Sequence, residues 1–156
     1  MILNCGRLLG YARRLEVPGT VSEHYPSGLG STVAPLREIA DTVMPQLEKI
    51  TFSAWAAAAI RDRLSTLRED GRDQVVVAGM EAHVCVCQTA LDLIAQDFNV
   101  YVVADAVGSR ASATCDHAVA RMRDAGAAIV SQEMVAFEWL ERGDTPEFKD
   151  LLGLIK

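Results

Sequence analysis

The segment Gln74-Val-Val-Val-Ala-Gly79 constrains this chain more than any other. No polar residue stands between Gln74 and Gly79, so a strand built from it has no face suited to water. Continuous apolar runs of this length belong to parallel sheets covered by helices on both sides, whereas half-solvated antiparallel strands alternate. The rest of the sequence supplies the helices. Leu3, Leu8, Tyr11-Ala12 and Leu15 recur at three-to-four spacing and predict an N-terminal helix, with Arg7, Arg13 and Arg14 largely off the stripe. Residues 17–22 read as a short strand with Pro18 at its start. Residues 25–31 read as a loop, and 33–44 as a helix with Pro35 in its first turn and Pro45 beyond its end. A strand over 48–52 precedes an Ala-rich helix over 54–68, with Ser53 as its N-cap. Beyond the apolar strand the pattern predicts a helix over 84–96, a strand over 99–104 and a helix over 113–125 stopped by Gly126. A strand over 127–130 and a helix over 133–140 follow, then a last helix capped by Thr145 with Pro146 at its first position. Strand alternating with helix at this pitch predicts a single α/β domain over 1–156, a three-layer α/β/α arrangement on a mostly parallel sheet.

Composition excludes several function classes. Apolar residues at 50% with 23% charged, and a mean hydropathy of +0.14, exclude a disordered chain. No apolar run approaches the roughly 18 residues of a membrane span, so a soluble protein with no membrane partner is expected. Fifteen basic against 21 acidic residues, a net charge of −6, weigh against a nucleic-acid partner. Cys5, Cys85, Cys87 and Cys115 do not read as a disulfide framework in so apolar a chain, and Asn4 and Arg7 interrupt any signal peptide. A reducing, cytoplasmic location is expected.

Ligands of open parallel sheets bind where strand hands over to helix, beyond the carboxyl ends of the strands. The richest such junction is Val77-Ala-Gly-Met-Glu-Ala-His-Val-Cys85-Val-Cys87. Helical spacing aligns Cys87 with Ala90, Leu91, Ile94 and Phe98, and Cys85 with Gln88, Thr89, Asp92 and Gln96. Cys87 is therefore expected in the core and Cys85 on the polar side. A thiol at a helix N-terminus is favoured as thiolate, and the same N–H groups can hold an oxyanion. The competing reading makes Cys85 a small residue that fits a tight turn. A metal held by His83, Cys85 and Cys87 is the poorer reading, because two-residue separation splays the side chains. Lys49, ending a neighbouring strand, could supply the cation a thiolate wants, or could be an ordinary solvated lysine. Asp105 reads as a turn cap. Ser109 and Arg110 could grip a carboxylate or face water, Glu23 and His24 fall on the same functional edge, and His117 reads as a surface residue. Phe52 and Trp55 could line an apolar pocket or pack in the core.

Lys49-Ile-Thr-Phe-Ser-Ala-Trp55, Gly79-Met-Glu-Ala-His-Val-Cys85-Val with Thr89-Ala, Val103-Ala-Asp-Ala-Val-Gly-Ser-Arg110, Gly126-Ala and Glu133 resemble, in order and spacing, the isochorismatase-like cysteine hydrolases. Residues 22–32 and the tail from Phe148 are similar to the branch of isochorismatase-domain-containing hydrolases of mostly unassigned substrate. The resemblance implies an Asp–Lys–Cys triad in which cysteine attacks an amide-like carbon and water hydrolyses the thioester-type intermediate. It makes Cys85 the nucleophile and Lys49 the triad lysine. It also makes Met80–Glu81 a non-proline cis peptide, with the N–H groups of Glu81 and Cys85 forming an oxyanion hole. The triad aspartate of the family closes an apolar first strand that has no counterpart in this sequence, so an N-terminally incomplete domain is expected, with Asp105 or Asp41 as unsupported substitutes. The Asp-x-His…His metal set of nicotinamidases is not reproduced at Glu23-His24-Tyr25, so no metal and no cofactor is expected. Cys85 favours amide-type hydrolysis over vinyl-ether cleavage.

Two functions follow. One is hydrolysis of a small amide-like C–N substrate. The other is a catalytically silent relative acting as a binding or assembly subunit of a homo-oligomer, with the Phe148, Leu151, Leu152 and Ile155 face either at an interface or docked on its own chain. A dinucleotide-binding domain is excluded for want of a Gly-x-Gly-x-x-Gly turn.

Overall fold

The computed structural model of the protein describes residues 1–40 and 44–155. Its strands pair only in parallel and fall into two sheets among these residues. In one, β1 (Val21–His24) pairs with β2 (Gln46–Lys49), His24 standing opposite Lys49. In the other, β3 (Gln74–Met80) pairs with β4 (Asn99–Gly108), which pairs with β5 (Ala128–Val130). No ladder joins β1 to β3 among the described residues.

Helices cover both faces of the larger sheet, as the apolar run of β3 demands. Successive strand residues point to opposite faces. Val75, Val77, Val100 and Val102 therefore pack with α4 (Ala58–Glu69), α5 (Cys87–Ala95) and α6 (Ser112–Asp124). Val76, Ala78, Tyr101 and Val103 pack on the other side against α1 (Ile2–Arg14), α7 (Gln132–Leu140) and α8 (Pro146–Ile155). This is the three-layer arrangement expected. The smaller sheet is attached by side chains: Val17 and Val21 pack against Leu9 and Ala12 of α1, and Arg63 of α4 donates to Thr20 Oγ1 at 2.8 Å and to the Gly19 carbonyl at 3.1 Å.

Several boundaries differ from the sequence reading. The first strand starts at Val21, four residues later than expected from 17, and it contains Glu23 and His24. Pro26–Leu29 of the expected loop forms a short helix, α2, entered through Tyr25 at φ 48°. The next helix, α3, spans Ala34–Ala40, and the rest of its expected range, with the substitute Asp41, includes residues outside those described. Ser53 caps nothing: α4 starts at Ala58 with Ala57 as N-cap, because residues 50–57 turn back on the end of β2. Leu3 of the α1 stripe is 68% exposed, while Leu8, Tyr11 and Ala12 are buried.

β4 runs to Gly108, past the end expected at 104. Its pairing with β3 shifts between Val77↔Val102 and Gly79↔Val107, two residues of β3 spanning five of β4. The bulge exposes Ala104 and Asp105 and inverts the inward–outward alternation, so that Ala106 faces α1 and Val107 faces α6. It also re-aims Asp105. Its Oδ1 accepts from the N–H of Gln132 at 2.9 Å, and its Oδ2 and carbonyl accept from Asn4 Nδ2 at 3.1 and 2.8 Å. The expected turn cap ties α7 and α1 to the carboxyl edge of the sheet.

Candidate active site

Lys49 is the last residue of β2, so its side chain emerges at the carboxyl edge, yet it is only 6% exposed. Its Nζ donates to the carbonyls of Thr51 at 2.9 Å and Phe52 at 3.0 Å and lies 3.6 Å from Cys85 Sγ. An ammonium has three N–H donors, and these three partners use them all. The turn presenting the two carbonyls is itself fixed: Thr51 Oγ1 donates to the Ser53 carbonyl at 2.8 Å, and the Ala54 N–H to Thr89 Oγ1 on α5 at 2.8 Å. Among the described residues no carboxylate forms an ion pair with Lys49. A buried ammonium without a counter-charge is costly, and thiolate sulfur is the acceptor in reach that can become an anion.

Cys85 arrives from the other sheet. β3 leaves its ladder through Gly79 at φ +109°, a backbone region that side chains rarely adopt, and the Met80–Glu81 peptide bond is cis. The chain then makes a π-helical turn over Ala82–Val86 before continuing as α5. The N–H groups of Val84 and Val86 both donate to the Glu81 carbonyl, at 3.1 and 3.2 Å. Ala82, Val86 and Cys87 are buried by this turn, which leaves Cys85 half-buried and facing Lys49. Cys87 sits in the core at 3% exposure and Cys85 does not, the division that helical spacing predicts. All four cysteines are free thiols, and burial pushes the Cys5 thiol up.

A second group borders the cysteine turn. Glu81 Oε2 accepts from Arg110 Nε at 3.0 Å and lies 3.4 Å from His83 Nδ1, which is hydrogen-bonded to Ser109 Oγ at 2.9 Å. Arg110 therefore holds a carboxylate, but one from its own chain. Sequence reasoning weighs His83 only as a metal ligand and misses its link to Ser109. Among the described residues no three His, Cys, Asp or Glu side chains gather as a metal-binding group.

The remaining candidates separate. The His24 and Phe52 rings lie 5.4 Å apart, and Phe52, 52% exposed, gives its carbonyl to Lys49. Trp55 turns inward, edge-on to Phe98 at 5.5 Å, and is a core residue. Glu23 Oε1 accepts from the Thr32 N–H at 2.6 Å, so it braces the segment after α2. Hydrogen bonding from Thr32 holds its carboxyl below the usual carboxylate range. His117 is exposed. Two residues that the sequence reading passes over, Tyr25 and Ile50, line a cavity of about 350 Å³ beside Lys49, together with Glu48 and Thr51. His24 Nδ1 and Ser53 Oγ are buried without a hydrogen-bond partner among the described residues.

Comparison with known proteins places this geometry in context. The family model described as the isochorismatase domain matches residues 1–134. Isochorismatase domain-containing protein 1 of Danio rerio is 40% identical over 152 residues, 96% of this chain and 51% of that protein, so the chain spans about half of that relative. The secreted isochorismatase effector Isc1 of Phytophthora sojae is 35% identical over 151 residues, 96% of this chain and 71% of the effector. Among solved structures, MAR1 ribonuclease from Caenorhabditis elegans superposes with a TM-score of 0.90 at 37% identity, over 99% of this chain and 77% of that one. YcaC from Pseudomonas aeruginosa, with hexane-2,5-diol and covalent acrylamide, gives 0.85 at 26% identity, over 97% and 75%. The YcaC product of Escherichia coli, an octameric hydrolase of unknown specificity, gives 0.84 at 26%, over 97% and 74%.

Proposed function

The chain belongs to the isochorismatase domain family, and from that premise we propose that it is a cysteine hydrolase of a small amide-like C–N substrate. The observation that carries the reading is the Lys49 ammonium 3.6 Å from Cys85 Sγ. In the proposed reaction the Cys85 sulfur attacks the substrate carbonyl carbon and the oxygen gathers negative charge against the Glu81 and Cys85 N–H groups. The C–N bond then breaks, the nitrogen leaves with a proton from the Lys49 ammonium, and water cleaves the thioester to the acid and the thiolate, returning a proton to Lys49. Lys49 stabilises the sulfur as an anion. One neighbour carries covalent acrylamide, an electrophile that nucleophiles attack at its vinyl carbon, which is in keeping with a reactive nucleophile in this fold. Net charge −6 works against the polyanionic substrate that the name of another neighbour suggests.

The test is turnover of a panel of small amides, followed by ammonia release. We expect Cys85→Ala to abolish activity and Lys49→Ala to lower it by about a hundredfold or more. Turnover that survives Cys85→Ala overturns the reading. Among the described residues no helix is long and apolar enough to cross a membrane. A reducing compartment suits four free thiols, although one relative is named as secreted.

One observation favours a second reading. Lys49 has no carboxylate partner among the described residues, and an Asp–Lys–Cys triad needs one. A silent member that binds without turnover has the same geometry, and inactivity of the unaltered chain toward every amide favours it. The α8 face is then largely occupied within its own chain. Leu151 is fully buried, and Phe148 and Ile155 pack on the same core as α1 and α7. A homo-oligomer, in the manner of the octameric neighbour, must form through other surfaces.

A further inference from the structure

We propose that the site selects electrically neutral, apolar-bodied substrates, and that the Glu81 side chain is the determinant that excludes anionic ones; this rests on Cys85 being the reactive thiol. Consider what a substrate carboxylate would meet at this edge. The Lys49 ammonium has no free donor: the two carbonyls and Cys85 Sγ take all three. Arg110 is 73% exposed at its side chain, but its charge is already compensated by Glu81 at 3.0 Å. The same Glu81 carboxylate lies 3.4 Å from His83 Nδ1, so it occupies both cationic or cation-forming groups on this rim. An incoming anion must displace Glu81 from Arg110 or lie beside its negative charge. Glu48 lines the cavity that Lys49 borders, a second carboxylate near this edge. What the edge does offer is apolar: Ile50 at 70% exposure, Met80 at 59%, Phe52 at 52% and Tyr25 at 49%. Those side chains suit a neutral body and add nothing for a charged one.

Iodoacetamide and iodoacetate test this directly, because they differ by a carboxylate at nearly constant size. Each forms an S–C bond with thiolate sulfur and expels iodide. The readout is the ratio of the two rates at Cys85, followed by peptide mass mapping and divided by the same ratio for 2-mercaptoethanol in the same buffer. The unaltered chain should give a quotient of about ten in favour of iodoacetamide, the size of a like-charge contact near a protein surface. Glu81→Gln frees the guanidinium and should narrow the quotient to about three or less. Adding Arg110→Gln to Glu81→Gln should remove the narrowing that the free guanidinium caused. Arg110→Gln alone leaves Glu81 uncompensated and should widen the preference, which keeps the inference falsifiable even where Glu81→Gln fails to fold. A quotient of one overturns the inference, while rapid labelling by both reagents leaves Cys85 as the nucleophile. A quotient that ignores both single variants overturns the role of Glu81. Failure of iodoacetamide to label Cys85 ahead of Cys115 sinks the nucleophile reading and the inference with it.

Discussion

At the scale of single residues, the site is a set of short polar contacts whose charges are settled locally. Glu23 gives a clean case in pH. Its carboxylate accepts from Thr32, and its pKa is lowered by that hydrogen bonding, so the ionised form is the one that holds the contact. A group with a depressed folded pKa contributes above its unfolded value and loses that contribution as pH falls through the folded one. The Thr32 amide should therefore be protected from hydrogen exchange near neutrality and lose protection relative to its intrinsic rate only as pH falls below the usual carboxylate range. Glu23→Ala should show the unprotected rate throughout, and a Thr32 amide indifferent to both removes Glu23 as the brace. Residue roles are legible in the sequence where one periodicity governs them. Cys85 and Cys87 separate because a helix turns about 100° per residue. Ser53 is misread as an N-cap because the turn over 50–57 follows no period; it brings two carbonyls onto Lys49, a contact that only the folded chain reveals.

At the scale of elements, α8 shows how a predicted stripe becomes a docked helix. Thr145 Oγ1 accepts from the Phe148 N–H at 3.2 Å with Pro146 opening the helix, the start that the sequence predicts. Leu151 then inserts fully between α1 and α7. Leu151→Ala should cost about 2–5 kcal/mol of stability, measured as a lower urea midpoint at unchanged slope. The ion pairs of Arg14 with Glu147 and Asp150 on the same helix pair are solvent-exposed, so Arg14→Ala should move the midpoint far less. The reverse order of effects would mean that charge, and not the buried leucine, holds α8 in place. β4 is the element whose extent is least legible. Apolar alternation fixes a strand only while the pleat is regular, and the bulge at Ala104-Asp105 breaks the alternation that signals where the strand continues.

At the scale of the molecule, the two sheets are joined at their carboxyl edge by the contact of Lys49 with Cys85, with helices packed around them. β3 carries the most continuous apolar run in the chain, yet its residues from Val75 to Gly79 are only partly buried while Val100, Val102 and Val103 of β4 are enclosed. The difference follows from pairing: β4 has a neighbour on each side, and β3 has one. Among the described residues, backbone groups on the open side of β3 have no strand to satisfy them. The start of α1 lies at the carboxyl edge as well, since Asn4 bonds Asp105 and the Cys5 thiol donates to the Ala106 carbonyl at 3.2 Å. A strand placed directly before Met1 would therefore run toward that edge, parallel to β3, and an aspartate at its end would approach the edge where Lys49 stands without a carboxylate partner among the described residues. An apolar strand supplied there in an extended variant would pair with the open side of β3. In the unextended chain, β3 amides that do not reach β4 should exchange quickly, while those of Val102 and Val103 stay protected near the global limit. A version extended by such a strand should slow the β3 amides by at least about a hundredfold, the equivalent of roughly 3 kcal/mol in opening free energy. It should also raise amide turnover through Cys85. Protection gained without turnover would assign the strand to stability alone, and no change in β3 exchange would show that the two sheets are complete as they stand.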